Sequence, residues 1–114
     1  MNKELVEKIL QFRDDRNWKQ FHTPKDLAIS ISLEAAELLE NFQWSGSDTA
    51  VLENKENMAE ELADIMIYCL YMADVLGLDM EQVIAHKLAK NAEKYEVDKA
   101  YGNKDKYTKL GVIP

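Results

Sequence analysis

Apolar positions recur along this chain at three- and four-residue spacing, and no alternating strand pattern stands out, so the elements it predicts are helices. Leu5, Ile9 and Phe12, with Val6, Leu10 and Arg13 beside them, predict a first helix over residues 3–17. A loop over residues 18–22 follows. Thr23, Pro24 and Asp26 read as a helix start, with Thr at the N-cap, Pro at the first helical position and an acid at the third. That second helix is expected to reach about residue 42, with Leu27, Ile31 and Leu38 as its buried stripe. Residues 44–49 are turn-like. A third helix begins between residues 52 and 55 and ends at Leu76, where Gly77 is placed as a C-terminal cap. Its expected stripe is Met58, Leu62, Ile65, Cys69 and Met72. Asp79 can N-cap a fourth helix running to about residue 96. The tail, residues 97–114, is rich in Lys, Asp and Tyr and is expected to be loosely ordered. Four helices with short connections predict an all-α, four-helix bundle-like single domain over residues 1–114.

Charge narrows the classes of function. The 114 residues carry a formal net charge of −7, and no basic patch suited to a nucleic-acid polymer is present. An acidic protein acting on an anionic phosphate needs a cation between the two. The single cysteine, Cys69, excludes an intrachain disulfide and points to a reducing, cytoplasmic setting; within its apolar stripe it reads as inert packing. The first ten residues are amphipathic, with Glu4 and Glu7 among them, and are not expected to be a signal peptide. The longest apolar run, residues 65–73, is too short to span a membrane. A chain this small gains from a partner copy in covering its apolar surface.

Four acids stand out. The second helix carries Glu34 and Glu37, and the third carries Glu61 and Asp64, each pair at i, i+3 and so on one helix face. None of the four has a Lys or Arg three or four residues away, and like charges at this spacing cost roughly 0.2–0.5 kcal/mol per pair. They also border the apolar stripes rather than oppose them. Partly buried, unpaired carboxylates call for a compensating cation, and oxygen ligands suit a hard divalent ion, Mg²⁺ or Mn²⁺. A carboxylate-bridged di-iron site needs Glu-x-x-His on two helices. The i+3 positions here are Glu37 and Asp64, and the two histidines, His22 and His86, lie elsewhere, so redox iron is disfavoured.

At these residues the chain resembles a known family, the all-alpha nucleoside triphosphate pyrophosphohydrolases of the MazG superfamily, and within it the dCTP pyrophosphatase branch. The acid pairs carry the resemblance together with Trp18-x-x-x-His22, Phe42-Gln43-Trp44, the segment from Glu60 to Tyr68, and Lys87-x-x-x-Asn91-x-x-Lys94-Tyr95. It implies Mg²⁺-dependent hydrolysis between the α and β phosphates, and a homodimer or dimer-of-dimers. By matching position it implies metal ligation by Glu34, Glu37, Glu61 and Asp64. It implies nucleoside contacts from Trp18, His22, Trp44 and Tyr68, and phosphate or sugar contacts from Lys87, Asn91, Lys94 and Tyr95. Nothing is implied for the tail beyond Tyr95.

The residues leave alternatives open. Trp44 either caps the core or stacks on a base. His22 can meet a base edge or a phosphate, and Tyr68 is either a core tyrosine or a pocket wall. Lys87, Asn91 and Lys94 form a stripe that is either a solvated face or a cationic one turned to a triphosphate. Glu37 and Glu60 are both candidates for the general base that takes the proton of the attacking water. Two other functions fit the same chain: a phosphoribosyl-ATP or dUTP pyrophosphohydrolase, and a helical interaction module with a metal or nucleotide site and no turnover.

Overall fold

The computed structural model describes residues 1–110, and residues 111–114 of the tail lie outside the described residues. The described chain divides into two compact units, one over residues 1–78 and a second that begins at residue 79.

In the first unit α1 (Lys3–Asp15) starts where Asn2 Oδ1 accepts from the backbone N–H groups of Glu4 and Leu5, at 2.7 and 3.3 Å. It stops two residues short of the expected end because Asn17 takes a left-handed φ of 53°. That bend sends the chain into a 3₁₀ turn, Trp18–Phe21, where a plain loop is expected from the sequence. α2 (Pro24–Glu40) opens as predicted, with Thr23 Oγ1 accepting from Asp26 N–H at 3.1 Å. Its helical hydrogen bonding ends in a turn where Trp44 and Gly46 have φ of 68° and 60°. Asp48 Oδ1 then accepts from Ala50 and Val51 N–H, and this turn seats Val51 in the core at a φ of 46°, an unusual conformation for a β-branched residue. A 3₁₀ turn, Leu52–Asn54, leads into α3 (Lys55–Val75). α3 ends in a Schellman motif: Leu78 N–H bonds Ala73 C=O at 2.8 Å, Gly77 N–H bonds Asp74 C=O at 3.0 Å, and Gly77 has a φ of 67°.

α2 packs along α3, and α1 also contacts α3. Low-numbered residues of α2 meet high-numbered residues of α3, and the reverse, so the pair is antiparallel. The buried apolar residues are Leu27, Val51, Leu70, Tyr71 and Ala73, with Arg13 buried among them. This corrects the expected stripe of α3: Leu62 is 55% exposed, and Leu70, Tyr71 and Ala73 hold the centre instead. The turn around Tyr71 is where α1, the 3₁₀ turn and α2 all reach α3, so burial follows the meeting of elements rather than the helical period. Ile29, Leu33 and Leu39 on α2 and Leu62 and Met66 on α3 remain exposed.

The second unit holds α4 (Met80–Lys94), N-capped by Asp79 as predicted, then α5 (Val97–Ala100) and a 3₁₀ turn, Tyr107–Leu110. The described part of the tail thus carries two short helical turns joined by irregular chain. The Tyr107 ring stands edge-on to Tyr95 at 6.0 Å, and Lys94 Nζ lies 4.9 Å from its centroid, so the tail returns to the end of α4. Among the described residues no helix is long and apolar enough to cross a membrane.

Candidate active site

The antiparallel pairing of α2 with α3 brings the acid pairs together. Glu34, Glu61 and Asp64 each offer a carboxylate oxygen, and these atoms lie within 4.8 Å of one another. Glu37 lies within hydrogen-bond reach of Glu34 and Glu61. Glu34 Oε2 and Glu61 Oε2 are buried without a hydrogen-bond partner. Burial, and then the neighbouring Glu37 and Glu34 carboxylates, push the Glu61 carboxyl up to about 7. Glu34 is raised for the same reasons, burial first and Glu37 next. None of the four acids has an ion pair with Lys or Arg among the described residues. Orphaned buried oxygens, an acid-only donor set and no resident counter-charge fit a hard divalent cation.

Beside the acids lies a cavity of about 350 Å³ lined by Trp18, Phe21, His22, Asp26, Leu27, Ser30 and Tyr68. Ser30 precedes Glu34 by one helical turn on α2, and Tyr68 follows Asp64 by one turn on α3, so cavity and acids share one continuous face. The cavity combines the aromatic faces of Trp18, Phe21 and Tyr68 with polar groups on His22, Asp26 and Ser30, a make-up suited to a small molecule that is both flat and polar. A second, almost wholly apolar groove runs between Leu38, Phe42, Lys55, Met58, Ala59 and Leu62.

Behind the cavity the walls are fixed by a buried network. The His22 ring lies 5.0 Å from Tyr71, whose ring meets Tyr68 edge-on at 6.1 Å and whose hydroxyl donates to Ile9 C=O at 3.1 Å. The Arg13 guanidinium stands 5.7 Å from the Tyr71 centroid and bonds Asp14 and Asp74. Trp18 packs edge-on against Phe12 at 5.7 Å, with Arg16 over the Phe12 ring. His22 Nδ1 is buried without a partner, and burial, followed by the Arg13 charge, lowers its pKa, so the imidazole is neutral at neutral pH.

Of the residues singled out from sequence, Glu34, Glu37, Glu61 and Asp64 come together at the acid cluster, and Trp18, His22 and Tyr68 line the cavity. Glu60 is exposed and stands outside the cluster, so of the two candidate bases only Glu37 adjoins it. Trp44 is 91% exposed on its turn and lines neither cavity; it does not cap the core. Lys87, Asn91, Lys94 and Tyr95 all fall in the second unit, with Lys87 exposed and Asn91 and Lys94 half-buried. Sequence reasoning missed Phe21, Asp26, Ser30 and the buried Arg13. The spacing of Asp26 and Ser30, eight and four residues before Glu34 on one helix face, is a signal that was there to use.

The chain is similar to known proteins. A family model described as MazG-like family matches residues 29–110. A Mus musculus protein described as dCTP pyrophosphatase 1 is 37% identical over 106 residues, which is 88% of this chain and 62% of that protein. Its Homo sapiens counterpart of the same description is 30% identical over 105 residues, with the same shares covered. The chain thus spans a little under two thirds of the length of these curated relatives. The crystal structure of a pyrophosphatase from Archaeoglobus fulgidus DSM 4304 matches with a TM-score of 0.76 and 45% identity, covering 82% of this chain and 91% of that one.

Proposed function

This chain belongs to the MazG-like family, and on that premise we propose that it hydrolyses a nucleoside triphosphate, with dCTP among its substrates, to the monophosphate and pyrophosphate. One observation carries the reading: the buried, partnerless oxygens of Glu34 and Glu61 lie beside Asp64 on the same face as a nucleoside-sized aromatic cavity. Its similarity to a dCTP pyrophosphatase and to a pyrophosphatase supports it.

Glu34, Glu61 and Asp64, with Glu37 alongside, would hold Mg²⁺ or Mn²⁺, which supplies neutralisation of phosphate charge and acidifies water. Glu37 adjoins the cluster and takes the proton from the water that attacks the α-phosphorus, while pyrophosphate leaves on the opposite side. Trp18, Tyr68 and His22 form the nucleoside wall, and the Arg13–Tyr71 network keeps that wall in place. We assign phosphate and sugar contacts to Lys87, Asn91, Lys94 and Tyr95 on the family resemblance. We assign the working form to a homo-oligomer, in which a second copy covers the apolar residues left exposed on α2 and α3 and uses the protruding Trp44.

The test is product identification. Purified protein with each dNTP and Mg²⁺ should give dNMP and pyrophosphate. Release of orthophosphate and dNDP would place cleavage at the γ position and overturn the reading, and binding without turnover would make the chain an interaction module. Turnover confined to dUTP or phosphoribosyl-ATP would move it to another branch of the family.

A further inference from the structure

Asp26 lies in the cavity lining and has no task in the activity proposed above. As an acid in the first turn of α2 it suits the helix dipole, which by itself accounts for an acid facing solvent. Here the cap is made by other atoms: the Asp26 backbone N–H donates to Thr23 Oγ1 at 3.1 Å. The carboxylate itself has no hydrogen bond and no ion pair among the described residues. Asp26 is solvent-exposed, and its carboxylate is an acceptor open to a ligand at the edge of the cavity.

Its place along the helix sets what it meets. Asp26, Ser30 and Glu34 fall at i, i+4 and i+8 on one face, so Asp26 lies about 12 Å from Glu34 along α2. With a triphosphate at the acid cluster and a nucleoside between Trp18 and Tyr68, the far end of the cavity receives the edge of the base. An ionised carboxylate only accepts hydrogen bonds. Ser30, Tyr68 and the neutral His22 can each donate or accept, and so do not choose between an amine and a carbonyl. The Trp18 indole N–H only donates, and every pyrimidine carries the 2-oxo group it can serve.

We propose that Asp26 is a specificity-determining residue that selects a 4-amino pyrimidine over a 4-oxo pyrimidine, by accepting from the exocyclic amine. A 4-oxo group sets its lone pairs against the carboxylate and gains no hydrogen bond from it. The inference rests on the proposed pyrophosphohydrolase activity and on the nucleoside lying in this cavity.

The substrates that test it are dCTP and dUTP, whose bases differ in the 4-substituent and the N3 proton that follows from it. Hydrogen bonds to charged groups contribute about 1.5–3 kcal/mol, so the wild-type kcat/KM should favour dCTP by roughly tenfold or more. Asp26→Asn keeps the shape and adds an amide donor, so it should shrink the dCTP:dUTP ratio by about tenfold, partly by gaining dUTP turnover. Asp26→Ala should shrink the same ratio without that gain. Because the readout is a ratio within one protein sample, a loss of folded material does not move it. An active enzyme whose ratio stays the same in both variants, or a wild type that prefers dUTP, overturns the role of Asp26 alone. A wild type that hydrolyses neither nucleotide overturns the activity reading and this inference with it.

Discussion

Arg13 Nη1 donates to Asp74 Oδ2 at 2.6 Å, a bond that ties α1 to the last turn of α3 across 61 residues of chain. Arg13 is 2% exposed, and a charge so placed has to be paired. Its Nε donates to Asp14 at 2.8 Å, and Lys19 Nζ approaches Asp74 at 3.6 Å. The guanidinium faces Tyr71, which backs both His22 and Tyr68. One ion pair thereby fixes the rear wall of the cavity.

Removing Asp74 should cost stability and then disturb the cavity. Asp74→Ala leaves Arg13 buried with Asp14 as its remaining carboxylate; because Asp74 is partly solvated, the loss should be about 1–3 kcal/mol. Urea denaturation measures it. A change under about 0.5 kcal/mol would show the pair to be of the exposed, weakly contributing kind.

The acid cluster should behave as a binding site and not as a structural one. Without divalent metal, Glu61→Gln and Glu34→Gln should each match or exceed the wild type in thermal stability, because each relieves carboxylate crowding. Adding millimolar Mg²⁺ or Mn²⁺ should raise the wild-type Tm and leave the Tm of both variants nearly unmoved. In a nucleotide assay the same variants, with Glu37→Gln and Asp64→Asn, should lose nearly all turnover. Marked destabilisation of the metal-free variants would make the acids structural.

His22 should impose an acid limit on stability. Its folded-state pKa is lowered, by burial first and by the Arg13 charge second, so below about 6.5 the unfolded chain binds more protons than the folded one. The His22 contribution is therefore fully present above the unfolded pKa and is lost as pH falls through the folded one. Stability curves of wild type and His22→Asn, run from pH 7.5 down to 5, should converge at the acid end. Curves that stay parallel would mean the imidazole titrates freely, which an NMR titration of its ring protons would also show.

Self-association should depend on the exposed apolar residues of the first unit. Leu33→Glu and Leu62→Glu alter side chains that are 60% and 55% exposed, so neither should disturb the fold of a single chain. Both should shift light-scattering mass from an oligomer toward the monomer at micromolar concentration. A wild type that is monomeric at high micromolar concentration would refute the homo-oligomer.

Much of this was legible in the sequence because local rules govern it. Thr23 and Asp79 are legible as caps from sequence and form their expected bonds, and Asn2 caps α1 as well. Gly77 ends α3 because a left-handed residue is needed there. The four acids proposed for the site stand out in the sequence by elimination: none has a basic residue three or four positions away, and a carboxylate without a local partner must find its compensation elsewhere.

What the tertiary structure alone decided is where different helices meet. The helical period ranked Leu62 with the buried stripe of α3 and gave no reason to single out Tyr71, yet Leu62 is exposed and Tyr71 is buried, because α1 and the 3₁₀ turn cover one end of α3 only. Arg13 read as a flanking residue until Asp74, 61 positions away, supplied its partner. Glu37 and Glu60 were equal candidates along the chain. Both are exposed; they part because the antiparallel contact sets Glu37 beside Glu34 and Glu61 and does not bring Glu60 there. Asp26 looked like an ordinary first-turn acid until the 3₁₀ turn brought Trp18 and His22 alongside it. Capping, periodicity and charge spacing act over one or two turns, so sequence fixes them; which carboxylate faces a cavity depends on the packing of helices far apart in the chain, and no local pattern encodes it.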